Sequence, residues 1–329
     1  MWALNQLKTA ATSISRFAAP DSLRTLYSYN VQNGWVPSKS PLQTAASGSN
    51  TATYQPFALL TWNVDFVRPL IHERFQAALS HLEELLSPQK VTPAPQPTII
   101  FMQEVHSSCF EVLLASDFIR EFYEPTNISS LQKYSTLTLV PKSLVSQVAC
   151  VQRTPFTGAT VMDRDCLYVD LHVRLPATPE QKALRLRIAN THLESLGFGL
   201  EARSTQLQRI SGLLTETGID GGFVAGDMNA ISEADNALPE QYGLTDAWKE
   251  EHFTPTDIVD SSGTGEIEGH TWGYQPPAQF PPDRLDKILV VGKLAAVDVQ
   301  RVGVGLKVKD TDTWVSDHYG LLAKIVLRM

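Results

Sequence analysis

The chain has 329 residues, of which 43% are hydrophobic and 19% are charged, and its formal net charge is −8. This composition is typical of a globular protein, and no apolar run approaches the roughly 20 residues that span a bilayer, so we expect no membrane span. The chain has no stripe of Lys and Arg of the kind that follows a long nucleic-acid backbone, so we expect a small substrate or a polymer end.

The first 55 residues differ in composition from the rest. Residues 1–55 are rich in Ser, Thr, Ala, Gln and Asn, which predicts an N-terminal arm with a flexible linker over 38–53. The first 20 residues are basic and acid-poor, so a mitochondrial presequence is an alternative to a poorly ordered arm. Three cysteines without metal-ligand spacing favour reduced thiols and a nuclear or cytoplasmic protein. The folded domain is predicted over 56–329.

Buried strands and amphipathic helices follow from residue 57 onward, which predicts a layered α/β fold. Strands are predicted at 57–62, 98–102, 135–140, 147–152, 166–173, 184–191, 222–225, 287–291 and 321–327, and helices at 68–86, 108–121 and 200–214. The stretch 251–283 is polar and rich in Gly and Pro, so it is predicted to be a long loop. Its aromatic residues Trp272 and Tyr274 suit a loop that faces a substrate, and a passive loop is the alternative.

Short polar motifs stand at the ends of five apolar runs. They are Thr61-Trp62-Asn63, Gln103-Glu104, Asn190-Thr191-His192, Gly226-Asp227-Met228-Asn229 and Ser316-Asp317-His318. Each motif lies where a predicted core strand emerges into solvent, which is where rigid backbone holds reactive groups. Their carboxylate, carboxamide and imidazole groups predict one acidic pocket for a hard metal ion and a phosphate ester.

Each group in these motifs has a chemical role that its type allows. Mg²⁺ prefers oxygen ligands, so Glu104 and Asp317 are the candidate ligands. Asp227 and Asn229 project to the same side of extended backbone, where a carboxylate orients water and a carboxamide donates to phosphate, although an Asx-turn is the structural alternative. Asn63 can donate to a phosphate oxygen or orient the metal ligand.

Two histidines stand apart from the others because each lies next to an end of a predicted strand and has polar neighbours. A protonated imidazole stabilises charge on a phosphoryl oxygen, and a carboxylate partner keeps it protonated, so His192 and His318 are candidates and Asp286 is the predicted partner of His318. A Ser-His nucleophile at Ser195 is rejected, because no Gly-x-Ser-x-Gly elbow is present. Phosphate loops of the Gly-x-x-x-x-Gly-Lys and Gly-x-Gly-x-x-Gly types are also missing.

In this order, the motifs from Phe57 to the C-terminus resemble the endonuclease/exonuclease/phosphatase superfamily. Thr191-His192-Leu193-Glu194-Ser195 and Ser316-Asp317-His318-Tyr319-Gly320-Leu321-Leu322 look most like its tyrosyl-DNA phosphodiesterase 2 branch. The resemblance implies that residues 56–329 form a deoxyribonuclease I-like four-layered α/β sandwich, in which two packed mixed β-sheets are flanked by helices.

The resemblance also implies a role for each site residue. Glu104 and Asp317 would hold Mg²⁺, with Mn²⁺ as an alternative; Asp227 would activate water; Asn63, His192 and Asn229 would bind the phosphate; and His318, held by Asp286, would stabilise the phosphorane. Arg164, Arg203 and Trp272 are expected to contact the substrate.

The expected function is Mg²⁺-dependent hydrolysis of 5′-tyrosyl-DNA ends in DNA repair, by a monomer. Ile231 stands where members of that branch carry a basic residue, which leaves the substrate open. The alternatives are a general nuclease, a phosphatase of lipid or inositol phosphates, and a non-catalytic scaffold for DNA ends or a protein.

Overall fold

The computed structural model describes residues 22–38, 52–175, 183–252, 266–267 and 269–328. The strands are β1 (Ser22–Arg24), β2 (Tyr27–Asn30), β3 (Gly34–Pro37), β4 (Ala52–Thr53), β5 (Phe57–Asn63), β6 (Thr98–His106), β7 (Tyr123–Pro125), β8 (Tyr134–Pro141), β9 (Val148–Pro155), β10 (Asp165–Arg174), β11 (Leu184–His192), β12 (Gly221–Asp227), β13 (Thr245–Asp246), β14 (Asp286–Gly292), β15 (Leu294–Val302) and β16 (Gly320–Leu327). The α-helices are α1 (Ile71–Leu86), α2 (Cys109–Ala115), α3 (Asp117–Phe122), α4 (Leu200–Leu214), α5 (Glu233–Gln241) and α6 (Ala247–Glu251), and short 3-10 helices cover Lys142–Gln147 and Gly197–Gly199.

Two large sheets organise these elements. The first has eight strands in the order β1-β9-β10-β11-β12-β14-β13, with β4 beside β10, and the second has six in the order β15-β16-β5-β6-β8-β7. Both sheets are mixed, because β11 and β12 pair in parallel in the first, as β5 and β6 do in the second. Strands β2 and β3 form a separate hairpin.

Alternating side chains divide the interior into three apolar layers. Phe57 and Leu59 of β5 face the first sheet in a core that also holds Phe223 of β12. Leu60 and Trp62 of the same strand face the opposite way, into a core with α1, α2 and α3. A third core joins the outer face of the first sheet to α4. Helix, sheet, sheet and helix therefore form four layers, which confirms the predicted sandwich.

Part of the predicted N-terminal arm belongs to this fold, which corrects the boundary at residue 55. Strand β1 pairs with β9 at the edge of the first sheet, and Leu26 is 4% exposed in the central core. Trp35 packs against the α1 layer and its indole donates to the carbonyl oxygen of Leu114 at 3.2 Å. The prediction was wrong for 22–37 because a few apolar side chains suffice to anchor short edge strands. Residues 1–21, 39–51 and the presequence prediction lie outside the described residues.

Most predicted elements are confirmed, with local differences. The helix predicted at 108–121 is two helices, because Ser116 is extended and caps α3 by accepting from Ile119 N at 3.4 Å. Sequence patterning missed α5, α6 and β15. Of the predicted loop 251–283, residues 253–265 and 268 lie outside the described ranges, and 269–283 contain only isolated bridges. Within the described ranges, every helix is too short or too polar to cross a membrane.

Candidate active site

The ends of five central strands bring the polar motifs together. Register places Asn63 beside Gln103 in one sheet, and Asp227 between His192 and Asp286 in the other. The Asn63 amide donates from Nδ2 to Asp227 Oδ2 at 3.0 Å, so the two sheets meet through their polar ends. The convergence predicted from strand ends is therefore present.

Asp227 is buried among donors. Its carboxylate accepts from Asn63 Nδ2 at 3.0 Å and from the backbone N–H of Asn229 at 2.8 Å, and His192 Nε2 lies 3.3 Å from Oδ2. Burial alone would raise the pKa of Asp227, but His318 and His192 hold it well below its usual value. Asp227 is therefore a carboxylate at neutral pH.

His318 is paired as the sequence predicted. Its Nδ1 lies 2.7 Å from Asp286 Oδ2, and its Nε2 is 3.7 Å from Asp227 Oδ2. Burial alone would lower the pKa of His318, but the carboxylates of Asp286 and Asp227 raise it well above its usual value. The backbone is fixed too, because Trp62 Nε1 donates to the His318 carbonyl oxygen at 3.0 Å. His318 is therefore an imidazolium with Nε2 directed toward Asp227.

His192 is neutral, whereas His318 is charged. Arg164 Nη1 lies 2.8 Å from His192 Nδ1, and because a guanidinium can only donate, the imidazole carries its proton on Nε2, facing Asp227. Burial and the Arg164 charge lower the pKa of His192 to about 4. The site thus holds one neutral and one charged imidazole on either side of one carboxylate.

Asn229 adopts the left-handed backbone region at φ 48°, which Asn tolerates, and its N–H bonds Asp227 Oδ1 as in an Asx-turn. Its Nδ2 donates to the Leu193 carbonyl oxygen at 3.0 Å, which leaves one amide hydrogen for another acceptor. The turn and the chemistry inferred from the sequence are therefore compatible.

A second group of carboxylates lies beside the first. Burial, Asp65 and Asp317 raise the pKa of Glu104 to about 7, and burial and Asp317 raise the pKa of Asp65. Carboxylates raise one another's pKa when too few positive charges lie near them. A divalent cation bound by Glu104 and Asp317 would supply that positive charge. Asp65 was missed in the sequence, although Asn63-Val64-Asp65 places it two residues after a site residue.

Asp227, Asp286 and His318 also lie close enough to hold a cation, with one candidate ligand atom from each within 4.8 Å of the others. They suit it less well, because a protonated His318 has no free lone pair and Asp286 Oδ2 is already bonded to it. Glu104 and Asp317 are the better candidate ligands.

A cleft adjoins these groups and is lined by Glu104, Tyr134, Arg164 and His192 among others. Trp272 is half-buried, and its backbone pairs with His318, so it lies beside the site. Arg164 lines the cleft, and its predicted contact with the substrate stays a prediction. Arg203 does not lie there.

The predicted substrate contact at Arg203 needs correction. Arg203 is 1% exposed, and its guanidinium bonds both oxygens of Asp235, at 2.6 and 3.0 Å, and the carbonyl oxygens of Glu194 and Leu196. All three nitrogens are occupied by protein acceptors, so Arg203 holds α4 to its neighbours. Its Asp235 partner lies 32 positions along the chain, which spacing did not reveal.

Residues 60–318 match the sequence profile of the Endonuclease/Exonuclease/phosphatase family. The chain belongs to this family. It is therefore a phosphoesterase, a hydrolase of phosphoester bonds, and the acidic groups at the strand ends suit the divalent-metal dependence that is general in the family.

Known structures share the fold at low identity. Humanised D. rerio TDP2 with 14 mutations is similar with a TM-score of 0.61 and 19% identity, over 82% of this chain and 99% of that chain. D. rerio TDP2 complexed with single-strand DNA product gives 0.60 and 18%, over 82% and 99%. The human Nocturnin catalytic domain with bound sulfate gives 0.53 and 18%, over 84% and 94%. No curated protein sequence matches the chain.

Proposed function

We propose that this protein is a Mg²⁺-dependent phosphodiesterase that hydrolyses 5′-tyrosyl-DNA ends by in-line attack of water. One observation carries the proposal: an ionised Asp227 and a protonated His318 lie 3.7 Å apart, and His192, which contacts Asp227, lies 3.9 Å from Glu104. The similar fold of D. rerio TDP2, whose structure holds a single-strand DNA product, supports a DNA end as substrate.

Glu104 and Asp317 would hold the divalent cation, which supplies positive charge to a phosphoryl oxygen when bound. Mg²⁺ suits a site with few protein carboxylates, and Mn²⁺ is the alternative. The backbone N–H of Phe66 donates to Glu104 Oε2 at 3.1 Å, so one oxygen of this carboxylate is oriented by the protein.

Asp227 orients the attacking water. Its depressed pKa makes it a weak base, so its main contribution is a fixed acceptor that aligns the water with the phosphorus atom. Asn63 and His192 fix the carboxylate by donating to Oδ2. Asn63 and Asn229 each keep a second amide hydrogen for the phosphate oxygens, whereas the single N–H of neutral His192 is already donated to Asp227.

His318 donates from Nε2 to the phosphoryl oxygen that gains charge in the transition state. Asp286 keeps the imidazole protonated and holds its Nδ1 side, so the ring does not have to reorient during the reaction. The leaving group is the phenolate of tyrosine, whose ordinary pKa near 10 makes its departure easier than that of an alkoxide.

A net charge of −8 agrees with a substrate gripped at its end rather than along a duplex. Arg164 lines the cleft beside His192 and is the proposed cation for the substrate, with Trp272 as the aromatic neighbour. We propose that the protein acts as a monomer on trapped topoisomerase ends in the nucleus or cytoplasm.

The test is tyrosine release from a 5′-phosphotyrosyl oligonucleotide with Mg²⁺, with Mn²⁺ and with chelator. Wild-type protein should release tyrosine only with metal, and Asp227→Asn should lower kcat by about 100-fold or more while the protein stays folded. Abasic DNA, RNA and inositol phosphates complete the panel. Turnover of one of these without tyrosine release would reject the substrate, and no turnover of any would reject the function.

A further inference from the structure

A buried arginine links the loop that contacts the candidate ligand Glu104 to the segment that carries the candidate ligand Asp317. Arg74 of α1 is 1% exposed, and its guanidinium donates to the carbonyl oxygens of Val64 at 3.2 Å and Arg68 at 3.3 Å. Its Nε–H is shared between the carbonyl oxygens of Trp314 and Val315, at 3.1 and 3.0 Å. The first pair belongs to the loop after β5, and the second directly precedes Ser316-Asp317-His318.

The same guanidinium holds the Asp65 carboxylate, with Arg74 Nη2 2.9 Å from Asp65 Oδ2. Asp65 has a left-handed backbone at φ 51°, which an L side chain rarely adopts without local support. Its own side chain provides some, because Oδ1 accepts from the Val67 N–H at 2.9 Å. The loop is therefore fixed from outside by Arg74 and from inside by Asp65.

This loop reaches both candidate ligands. The Phe66 N–H donates to Glu104 Oε2 at 3.1 Å, and Arg68 Nη2 lies 3.9 Å from Asp317 Oδ2. Arg68 Nε is also 3.1 Å from Asp65 Oδ2. A shift of the loop would therefore move a donor on Glu104 and a cation beside Asp317 together.

We propose that Arg74 is a positioning residue for the divalent cation: by tying the loop at residues 64–68 to the segment at 314–315, it sets the orientation of Glu104 and Asp317. The inference rests on the proposed function, which takes these two carboxylates as the ligands. Arg74 does not contact the ion, so its removal weakens metal binding through misplaced ligands. Groups that orient metal ligands typically contribute about 10- to 100-fold in affinity.

The test compares Arg74→Lys with Arg187→Lys. Metal-free protein is titrated with Mn²⁺, and electron paramagnetic resonance measures how much Mn²⁺ is bound. Arg187 is the matched control because it is 2% exposed, pairs with Asp170 and donates to the Leu213 carbonyl oxygen, away from the strand ends. Arg74→Lys should raise the Mn²⁺ Kd about tenfold or more, and Arg187→Lys should leave it unchanged. Saturating Mg²⁺ should restore kcat in Arg74→Lys, which a general folding defect would prevent. Equal Kd values in the two variants would overturn the proposal.

Wild-type protein provides a second measurement that does not depend on the variant folding. Mn²⁺ should slow amide hydrogen exchange in both 64–68 and 314–318, and exchange that is unchanged in both segments despite binding would overturn the proposal.

Glu104→Gln tests the proposed metal ligands separately from the positioning role of Arg74. If it keeps wild-type Mn²⁺ affinity, the proposed ligands are wrong, whereas lost binding there with normal binding in Arg74→Lys rejects the positioning role alone.

Discussion

At the residue scale, two histidines of the site differ in charge: His318 is protonated and His192 is neutral. His318 faces two carboxylates, Asp286 and Asp227, and its pKa is raised, whereas burial and Arg164 lower the pKa of His192 to about 4. Both imidazoles lie against the same Asp227 carboxylate, so their other neighbours decide the difference. One histidine is thereby suited to stabilise charge, and the other to hold a carboxylate in place.

Asp286→Asn should lower the pKa of His318 by removing the charge that faces Nδ1. Since activity needs the imidazolium and is lost as pH rises through its pKa, the alkaline limb of the kcat/KM profile should move to lower pH. At pH 8 we expect a fall of about 100-fold. Asp235→Asn, which removes a buried carboxylate paired with Arg203, is the control and should leave the limb in place. An unmoved limb in Asp286→Asn would contradict the pairing.

Glu104 should make the metal-free protein less stable as pH rises. Its pKa is about 7 in the folded chain against an ordinary 4.5, so its carboxyl contributes stability below about pH 4.5 that is lost as pH rises through 7. With chelator, Glu104→Gln should stabilise the protein at pH 8 by about 2 kcal/mol and should change little at pH 5. Urea unfolding measures both values. With saturating Mg²⁺, the order of stability at pH 8 should reverse.

At the element scale, the short N-terminal strands complete the first sheet and the core. Strand β1 covers the free edge of β9, and Leu26 enters the core between the two sheets. Paired edges resist aggregation, and a buried leucine contributes to the free energy of unfolding. The polar composition of residues 22–38 gave no sign of this role, because their apolar residues are interspersed with polar ones and form no long continuous run.

Leu26→Ala should lower the free energy of unfolding by about 2 kcal/mol, because its side chain is buried in a close-packed core. Leu23→Ala is the matched control, three residues away and 77% exposed, and it should change the free energy by less than about 0.5 kcal/mol. Urea denaturation compares the two. Equal effects would mean that residues 22–38 do not pack as described.

At the scale of the whole molecule, the acidic charge limits how nucleic acid is held. With a net charge of −8 and a site at the end of the sheets, we expect about two phosphate contacts from cations such as Arg164. The KM for 5′-tyrosyl single-stranded DNA should then rise less than about tenfold between 50 and 200 mM salt. Steady-state kinetics across this range checks it. A rise of about 1,000-fold would indicate an extended basic contact instead.

Much of the site was readable in the sequence because strand ends are local features. The apolar runs that end at Asn63, Glu104, His192 and Asp227 place polar groups where strands emerge, and both large sheets bear this out. Contacts between chain-distant groups were less accessible. Arg203 and Arg164 look alike in sequence. In the structure, Arg203 is paired with the buried Asp235, whereas Arg164 lines the cleft.

The sequence by itself determined which strands are buried, which polar groups follow them and therefore the layered fold and its reactive end. Periodicity and strand ends are set within a few residues, so local patterns specify them. Only the tertiary structure decided which cations stay beside the cleft, how Arg74 joins the loop at residues 64–68 to Trp314, which lies 240 residues after Arg74 in the chain, and which histidine is charged. Those outcomes depend on burial and on neighbours from distant segments, and both arise only when the sheets pack together.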